Sequence, residues 1–300
     1  MMNNRINFSK FFKVANAISL FAIVCSILFL FLKGLNFGVD FKGGTLLEIR
    51  VSNSSIKIQD VRDSLKTSNL GDVSVKEFGK EGDFLIKFEK DSNKNDKFIS
   101  QLNNNISEKI GSEVNFRRVE SVGPKVSSEL LKQGITAIAL SLAAMLFYIW
   151  IRFEWQFSLG SIIALFHDVI ITLGIFSILS LEVNLSIVAA VLTIVGYSMN
   201  DTVVIYDRIR ENLLKYSKIN TDEIANISVN ETLSRTIITS LTTLLALGSI
   251  FILGGEILKG FSFAMILGVV IGTYSSIFVA SPVLNYFKVT QKTLLKDENN

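Results

Sequence analysis

The chain is poor in the residues on which many chemistries depend. A lone cysteine, Cys25, excludes an intrachain disulfide and suits neither redox nor thiolate-metal chemistry. A lone histidine, His167, cannot build a metal site by itself. No GxxxxGK[ST] pattern occurs, so nucleotide hydrolysis has no visible seat and the energy for any work must come from elsewhere. Only two prolines interrupt 300 residues, and charged residues make up 19%. No cofactor is expected.

What the chain has instead is apolar length. Hydrophobic residues make up 49%, and the mean hydropathy is +0.43. They are segregated: Val14–Leu32 and Gln133–Ile151 each run 19 residues without a charge, Thr236–Gly255 runs 20 and Phe261–Phe287 runs 27. Trp155–Ser180 and Val183–Tyr206 are of similar length but carry His167, Asp168 and Asp201. A hydrocarbon core takes about 18–20 residues of helix, so six transmembrane helices are predicted, at 14–32, 133–151, 156–179, 184–206, 236–254 and 261–286. The first resembles a signal peptide in its basic flank, but it is longer than the ~7–15-residue h-region and lacks a small-residue cleavage pattern, so we read it as an uncleaved anchor.

Basic residues set the orientation. Arg5, Lys10, Lys13, Arg152, Arg208, Arg210, Lys215, Lys218, Arg235, Lys288, Lys292 and Lys296 fall on one side of a six-span topology, and the short loops opposite contribute only Lys259. That bias places residues 1–13 and 288–300 in the cytoplasm and exports the segment at 34–129. The exported segment has the texture of a soluble domain: strand Thr45–Val51, helix Ile58–Leu70, strands Asp72–Phe78 and Phe84–Glu89, helix Lys94–Ile110 and strand Val114–Val122. The order βαββαβ predicts a ferredoxin-like α+β fold. Such a unit serves either as a packing module or in contact with a transported substrate, and its residues do not decide between them.

Asp201 is the most informative residue. At a helix centre an Asp opposes insertion by roughly 2.5–3.5 kcal/mol, while each large apolar residue returns about 0.3–0.6. The apolar neighbours hold the segment in the membrane without accounting for the carboxylate. Either it bears protons, or it is a polar helix contact with Asn200 on the same edge. Arg235, just before an apolar run, is a charge partner for Asp201 or an arginine snorkelling to the interface. Arg208, roughly 10 Å along the same helix face, is a competing partner that fits better in a cytoplasmic cluster with Asp207, Arg210 and Glu211. His167 and Asp168 form a second polar island, a relay or a pair of structural contacts. Adjacent residues on a helix point about 100° apart, so these two are expected to face different neighbours. Thr239, Ser240, Thr242 and Thr243, with Gly268 and Gly272, predict a polar, closely packed seam. A Ser198–His167 dyad would make an intramembrane hydrolase, but the GxSxG-like pattern lacks its second glycine.

Seven blocks point to a family: Asn36–Thr45 (NFGVDFKGGT), Val122–Leu130 (VGPKVSSEL), Arg152–Trp155 (RFEW), His167–Asp168, Gly196–Asn212 (GYSMNDTVVIYDRIREN), Thr232–Thr236 (TLSRT) and Gly272–Ala280 (GTYSSIFVA). In this order they closely resemble the SecF family, the smaller membrane subunits of the bacterial SecD–SecF export complex within the resistance-nodulation-division superfamily. The resemblance covers about Phe8 to Phe287. It implies a bacterial inner-membrane protein, not an enzyme, that pairs with SecD. Through SecD it would assist the SecYEG channel and SecA motor, with YajC as a further partner, using proton-motive force to move unfolded exported polypeptide forward. It also implies that Asp201 is the proton-pathway carboxylate and Arg235 its essential arginine, with a further carboxylate in SecD. The alternative within the superfamily is half of a proton-driven exporter of small molecules or lipids.

Overall fold

The computed structural model describes residues 6–53, 55–66, 68, 70–77, 79–89, 96–216, 219–287, 289–291 and 293–294. Arg5, Phe78, Lys94, Lys218, Lys288, Lys292 and Lys296 of the sequence reading lie outside these. Contacts divide the chain into two compact units, residues 37–135 and the remainder.

The smaller unit carries β1 (Gly44–Val51), α1 (Ile58–Leu65), β2 (Val73–Glu77), β3 (Asp83–Phe88), α2 (Asp96–Ile110) and β4 (Val114–Val122). Its antiparallel sheet has the order β2-β3-β1-β4, so the first strand lies between the third and fourth and βαββαβ is realised. Alternation explains the layering. Leu47, Ile49 and Val51 from β1 and Phe84, Ile86 and Phe88 from β3 face Val61 and Leu65 of α1 and Leu102 and Ile106 of α2. Each such side chain contributes about 1.5–3 kcal/mol by leaving water. Before β1 the chain makes a single helical turn, Val39–Lys42, and enters the sheet through Gly44 at φ +116°. A Cβ there would stand 2.5 Å from the Phe88 carbonyl oxygen, so the close approach of β1 to the end of β3 requires glycine.

On the opposite face Arg50 grips Asp83 through two 2.5 Å hydrogen bonds, from Nε to Oδ1 and from a terminal nitrogen to Oδ2. That hydrogen bonding holds the Asp83 carboxyl below its usual value, against the opposing effect of burial. The contribution is therefore complete above about pH 4 and disappears as pH falls through the depressed value. Asp83→Asn is expected to lower the opening free energy of this sheet by about 1.5–3 kcal/mol at neutral pH and by less at acid pH, below the depressed carboxyl value. Hydrogen exchange of β1 and β3 amides checks it, and a loss that is equal at both pH values contradicts it.

In the larger unit, residues 12–32 form α3; α4 (Pro124–Arg152) leads in from the smaller unit, followed by α5 (Trp155–Ile178), α6 (Leu185–Lys215), α7 (Thr221–Leu253), α8 (Gly255–Ser275) and, after one wide π turn at Ser276–Ala280, α9 (Ser281–Tyr286). Among the described residues six helical stretches are long and apolar enough to cross a membrane: Ser9–Leu32, Pro124–Arg152, Trp155–Ile178, Leu185–Lys215, Thr221–Leu253 and Leu258–Tyr286. Three extend well beyond the predicted apolar windows; of these, α6 and α7 carry polar turns that bind one another, and both start from a cap. The Asn184 side chain accepts from Ile187 N at 3.2 Å to start α6, and Asn220 from Glu223 N at 2.8 Å to start α7. α5, α6 and α8 form the buried centre, whereas α3, α4 and α7 carry exposed Phe21, Phe31, Trp150, Ile151, Ile252 and Leu253, the apolar surface a bilayer accepts.

The π turn loosens the backbone but leaves few groups unsatisfied. Ser281 Oγ donates to Ser276 O at 2.9 Å, and the buried Tyr206 hydroxyl donates to Ala280 O at 2.9 Å.

Candidate functional site

Close packing of α6 against α8 builds the site. A Cβ on Gly272 would lie 2.9 Å from Ser198 Cβ, and one on Gly268 would lie 2.2 Å from Ile194, so the two glycines bring the backbones together as their spacing predicts. Polar groups from three helices then meet at membrane depth.

Asp201, on α6, is 3% exposed. The Thr273 hydroxyl of α8 and the Arg235 guanidinium of α7 both act on its carboxylate. Its Oδ2 is buried without a hydrogen-bond partner among the described residues, and no ion pair within 4.0 Å joins it to Arg235. Ser240 of α7 bonds Thr273 at 2.7 Å, and the Thr236 hydroxyl, close by in sequence, is buried without a partner among the described residues. The carboxylate thus has a cation near it that does not grip it. Such a group can exist charged or neutral without disruption of a fixed bond.

Other expectations divide. Arg208 does belong to the polar end of the bundle: it bonds Glu231 at 2.7 Å and Glu211 at 2.5 Å, and the buried Asn212 ties Ser228 and Glu231 at 2.9 and 2.8 Å. Asn200 does not share the buried edge of Asp201; it is exposed, whereas Asp201 is buried. Of the four hydroxyls predicted to line a seam, only Ser240 reaches another helix. Thr239, Thr242 and Thr243 donate to carbonyls three or four residues back, which satisfies them within α7.

The second island also corrects the sequence reading. His167 Nδ1 and Asp168 Oδ1 are 2.8 Å apart, although helix geometry was expected to separate them. Flexible side chains close the 100° gap between their Cβ directions. Ser198 Oγ donates to Asp168 Oδ2 at 2.5 Å, and Ser275 Oγ does so at 2.8 Å. Ser198 is therefore committed to a carboxylate, not to the histidine, and the hydrolase dyad is not formed. Thr202 and Ser276 bond each other at 2.8 Å on the same seam. Thr273, Ser275 and Ser276 were not singled out from sequence, yet the small polar run Gly272–Ser276 in an apolar helix was the signal that marks them.

Comparison with known proteins gives this arrangement a context. A family profile described as protein export membrane protein SecD/SecF, C-terminal, matches residues 102–290, and the SecD/SecF GG motif matches residues 28–55, which include Gly43 and Gly44. The chain is 43% identical over 290 residues to the protein translocase subunit SecF of Rickettsia rickettsii, covering 96% of this chain and 94% of that one. It is 44% identical over 277 residues to the protein of the same name from Vibrio alginolyticus, covering 92% and 88%. Among solved structures, it is similar to SecDF, a translocon-associated membrane protein from Thermus thermophilus, with TM-score 0.85 and 35% identity. A second, SecDF in a super-membrane-facing form, gives TM-score 0.71 and 32% identity. The two alignments cover 95% and 99% of this chain but only 39% and 41% of those longer chains.

Proposed function

Since the chain belongs to the SecD/SecF family of protein export membrane proteins, on the SecF side of that family, we propose that it works with a SecD partner to convert proton-motive force into forward movement of exported polypeptide. Asp201 is the group that takes up and releases the proton, and Arg235 is the cation whose approach and withdrawal set its state. One observation carries this reading: a buried carboxylate with an unbonded oxygen faces an arginine that does not pair with it. A proton crossing the membrane supplies about 2.3 kcal/mol per 100 mV, in addition to the pH difference.

The exposed side of the bundle supports the need for SecD. Arg235 of α7 is exposed, and a charged group facing lipid is costly. A partner's helices covering Arg235 would shelter it and bring a second carboxylate to the path. Residues 1–13 and 288–300 lie in the cytoplasm, and residues 34–129 outside, where the ferredoxin-like domain follows the motion and biases the emerging chain away from SecYEG. SecA, acting on the cytoplasmic side of the same channel, is a functional partner, and YajC a further member of the assembly.

Arg235 distinguishes this from plain interfacial anchoring. Arg235→Gln is expected to reduce proton flux at least tenfold in liposomes containing the assembled complex, and Arg235→Lys to restore part of it, since a point charge survives but the fork geometry does not. An interfacial anchor would tolerate both, and full flux in Arg235→Gln rejects the assignment.

A further inference from the structure

The strongest feature not absorbed by the Asp201 reading is the second carboxylate. Asp168 is 0% and His167 1% exposed, in the middle of α5. Three polar groups from three helices converge on the one carboxyl: His167 Nδ1 meets Oδ1, and Ser198 of α6 and Ser275 of α8 donate to Oδ2. Among the described residues its only ion-pair partner is His167; no lysine or arginine lies within 4.0 Å. A lone carboxylate in so dry a place is strongly disfavoured. The one compensating charge within reach is a proton, on the imidazole or on the acid itself.

The other nitrogen of the ring is open. His167 Nε2 is buried with no partner among the described residues. The ring stacks on Tyr274 at 6.1 Å and 23°, but the Tyr274 hydroxyl is spent elsewhere, donating to Ala15 O at 2.8 Å and bonding Ser19 at 3.0 Å on α3. The Thr172 hydroxyl turns to the Asp168 carbonyl. Among the described residues, Ser198 of α6 and Ser275 of α8 bond the pair, Tyr274 of α8 stacks on it and Ser19 of α3 bonds that tyrosine, and none of these is a carboxylate, lysine or arginine. A histidine serving only as a packing contact is expected to have both ring nitrogens satisfied.

We propose that His167 and Asp168 form a second proton-binding pair of this chain, loaded through the free Nε2 of His167 and lying beside the route through Asp201. In the step, hydronium gives a proton to the Nε2 lone pair and leaves as water, while the Nδ1 proton passes to Asp168 Oδ1. An imidazole and a carboxylate become an imidazole of the other tautomer and a carboxylic acid, and the incoming positive charge cancels the negative one. Ser198 and Ser275 remain on Oδ2 throughout and hold the acid between α6 and α8. Ser198 lies one helical turn from Asp201 on α6, so a change in the charge of the pair is felt where Asp201 is presented.

The proposal rests on the proton-coupled reading, and the experiment separates the two. Proton flux is measured in liposomes containing the complete complex, for His167→Asn and for Asp201→Asn. The asparagine amide keeps the donor that Asp168 accepts but has no exchangeable lone pair in place of Nε2. Flux at least tenfold below wild type in His167→Asn, with unchanged complex yield and thermal midpoint, is the expected result. Wild-type flux in His167→Asn with flux lost in Asp201→Asn overturns the pair and leaves the Asp201 reading intact; wild-type flux in both overturns both. Because His167 is the sole histidine, nitrogen NMR of the unsubstituted, histidine-labelled complex reports its tautomer directly and does not depend on a variant folding. A change of tautomer with pH supports the proposal, and one fixed tautomer across the pH range in which flux is observed overturns it.

Discussion

Asp201→Asn is expected to remove proton flux and export stimulation together, by about 100-fold or more, while the complex with SecD still assembles. The estimate follows from the usual weight of a positioned proton-transfer group, about 10²–10⁴ in rate. Asparagine has nearly the same volume and can still bond the Thr273 hydroxyl, so α6, α7 and α8 keep their packing. What it cannot do is carry a charge in one state and lose it in another. Arg235 then has nothing to respond to, and the bundle stays in one state whatever the gradient. Export measured with and without an imposed proton gradient checks this: the variant should show the unstimulated rate in both. If stimulation persists, Asp201 is only a polar contact between helices and the proton path must be sought elsewhere.

The second large effect is expected in the outer domain. Gly44→Ala places a methyl group 2.5 Å from the Phe88 carbonyl oxygen at a backbone angle of φ +116°. The backbone conformation costs a non-glycine residue about 1–3 kcal/mol, and displacing the carbonyl adds about 1–3 more. Because Thr45 pairs with Phe88 and Ser121, both central ladders of the sheet loosen at that end. Against a total stability of about 5–15 kcal/mol for a small domain, a large part of the margin is lost. Expected readouts are loss of hydrogen-exchange protection along β1 and protease cleavage within residues 37–135, with the helices of the larger unit unaffected. Wild-type protection in the variant contradicts the requirement for glycine.

Much of the architecture was legible because membranes and small sheets leave plain patterns. Long uncharged runs locate six helices, and alternation in Thr45–Val51 and Phe84–Glu89 with four-residue spacing in the helix ending at Ile110 yields βαββαβ. Helix lengths were less legible. Apolar windows mark where hydrocarbon lies, not where the backbone stops being helical, and α6 and α7 continue into turns that hold one another through Arg208, Asn212, Ser228 and Glu231. In the site, Asp201 stood out because its carboxylate is costly where it sits. The His167–Asp168 bond did not, because Cβ directions alone neglect the reach of two flexible side chains. Thr239, Thr242 and Thr243 misled for the opposite reason: a hydroxyl on a membrane helix can be satisfied by its own backbone. The sequence offers no way to tell that from a bond across helices.

The wide turn at Ser276–Ala280 bears on how such a bundle moves. A regular helix bends only by breaking hydrogen bonds in a medium that cannot replace them. Here Ser281 and Tyr206 supply replacements for the Ser276 and Ala280 carbonyls in advance. α8 and α9 are thus two stiff rods meeting at a lubricated joint, next to the hydroxyls that touch Asp168 and Ser198. With those two carbonyls already bonded, a small tilt of one rod against the other leaves them satisfied, and a change of charge beside the joint has a place to become displacement.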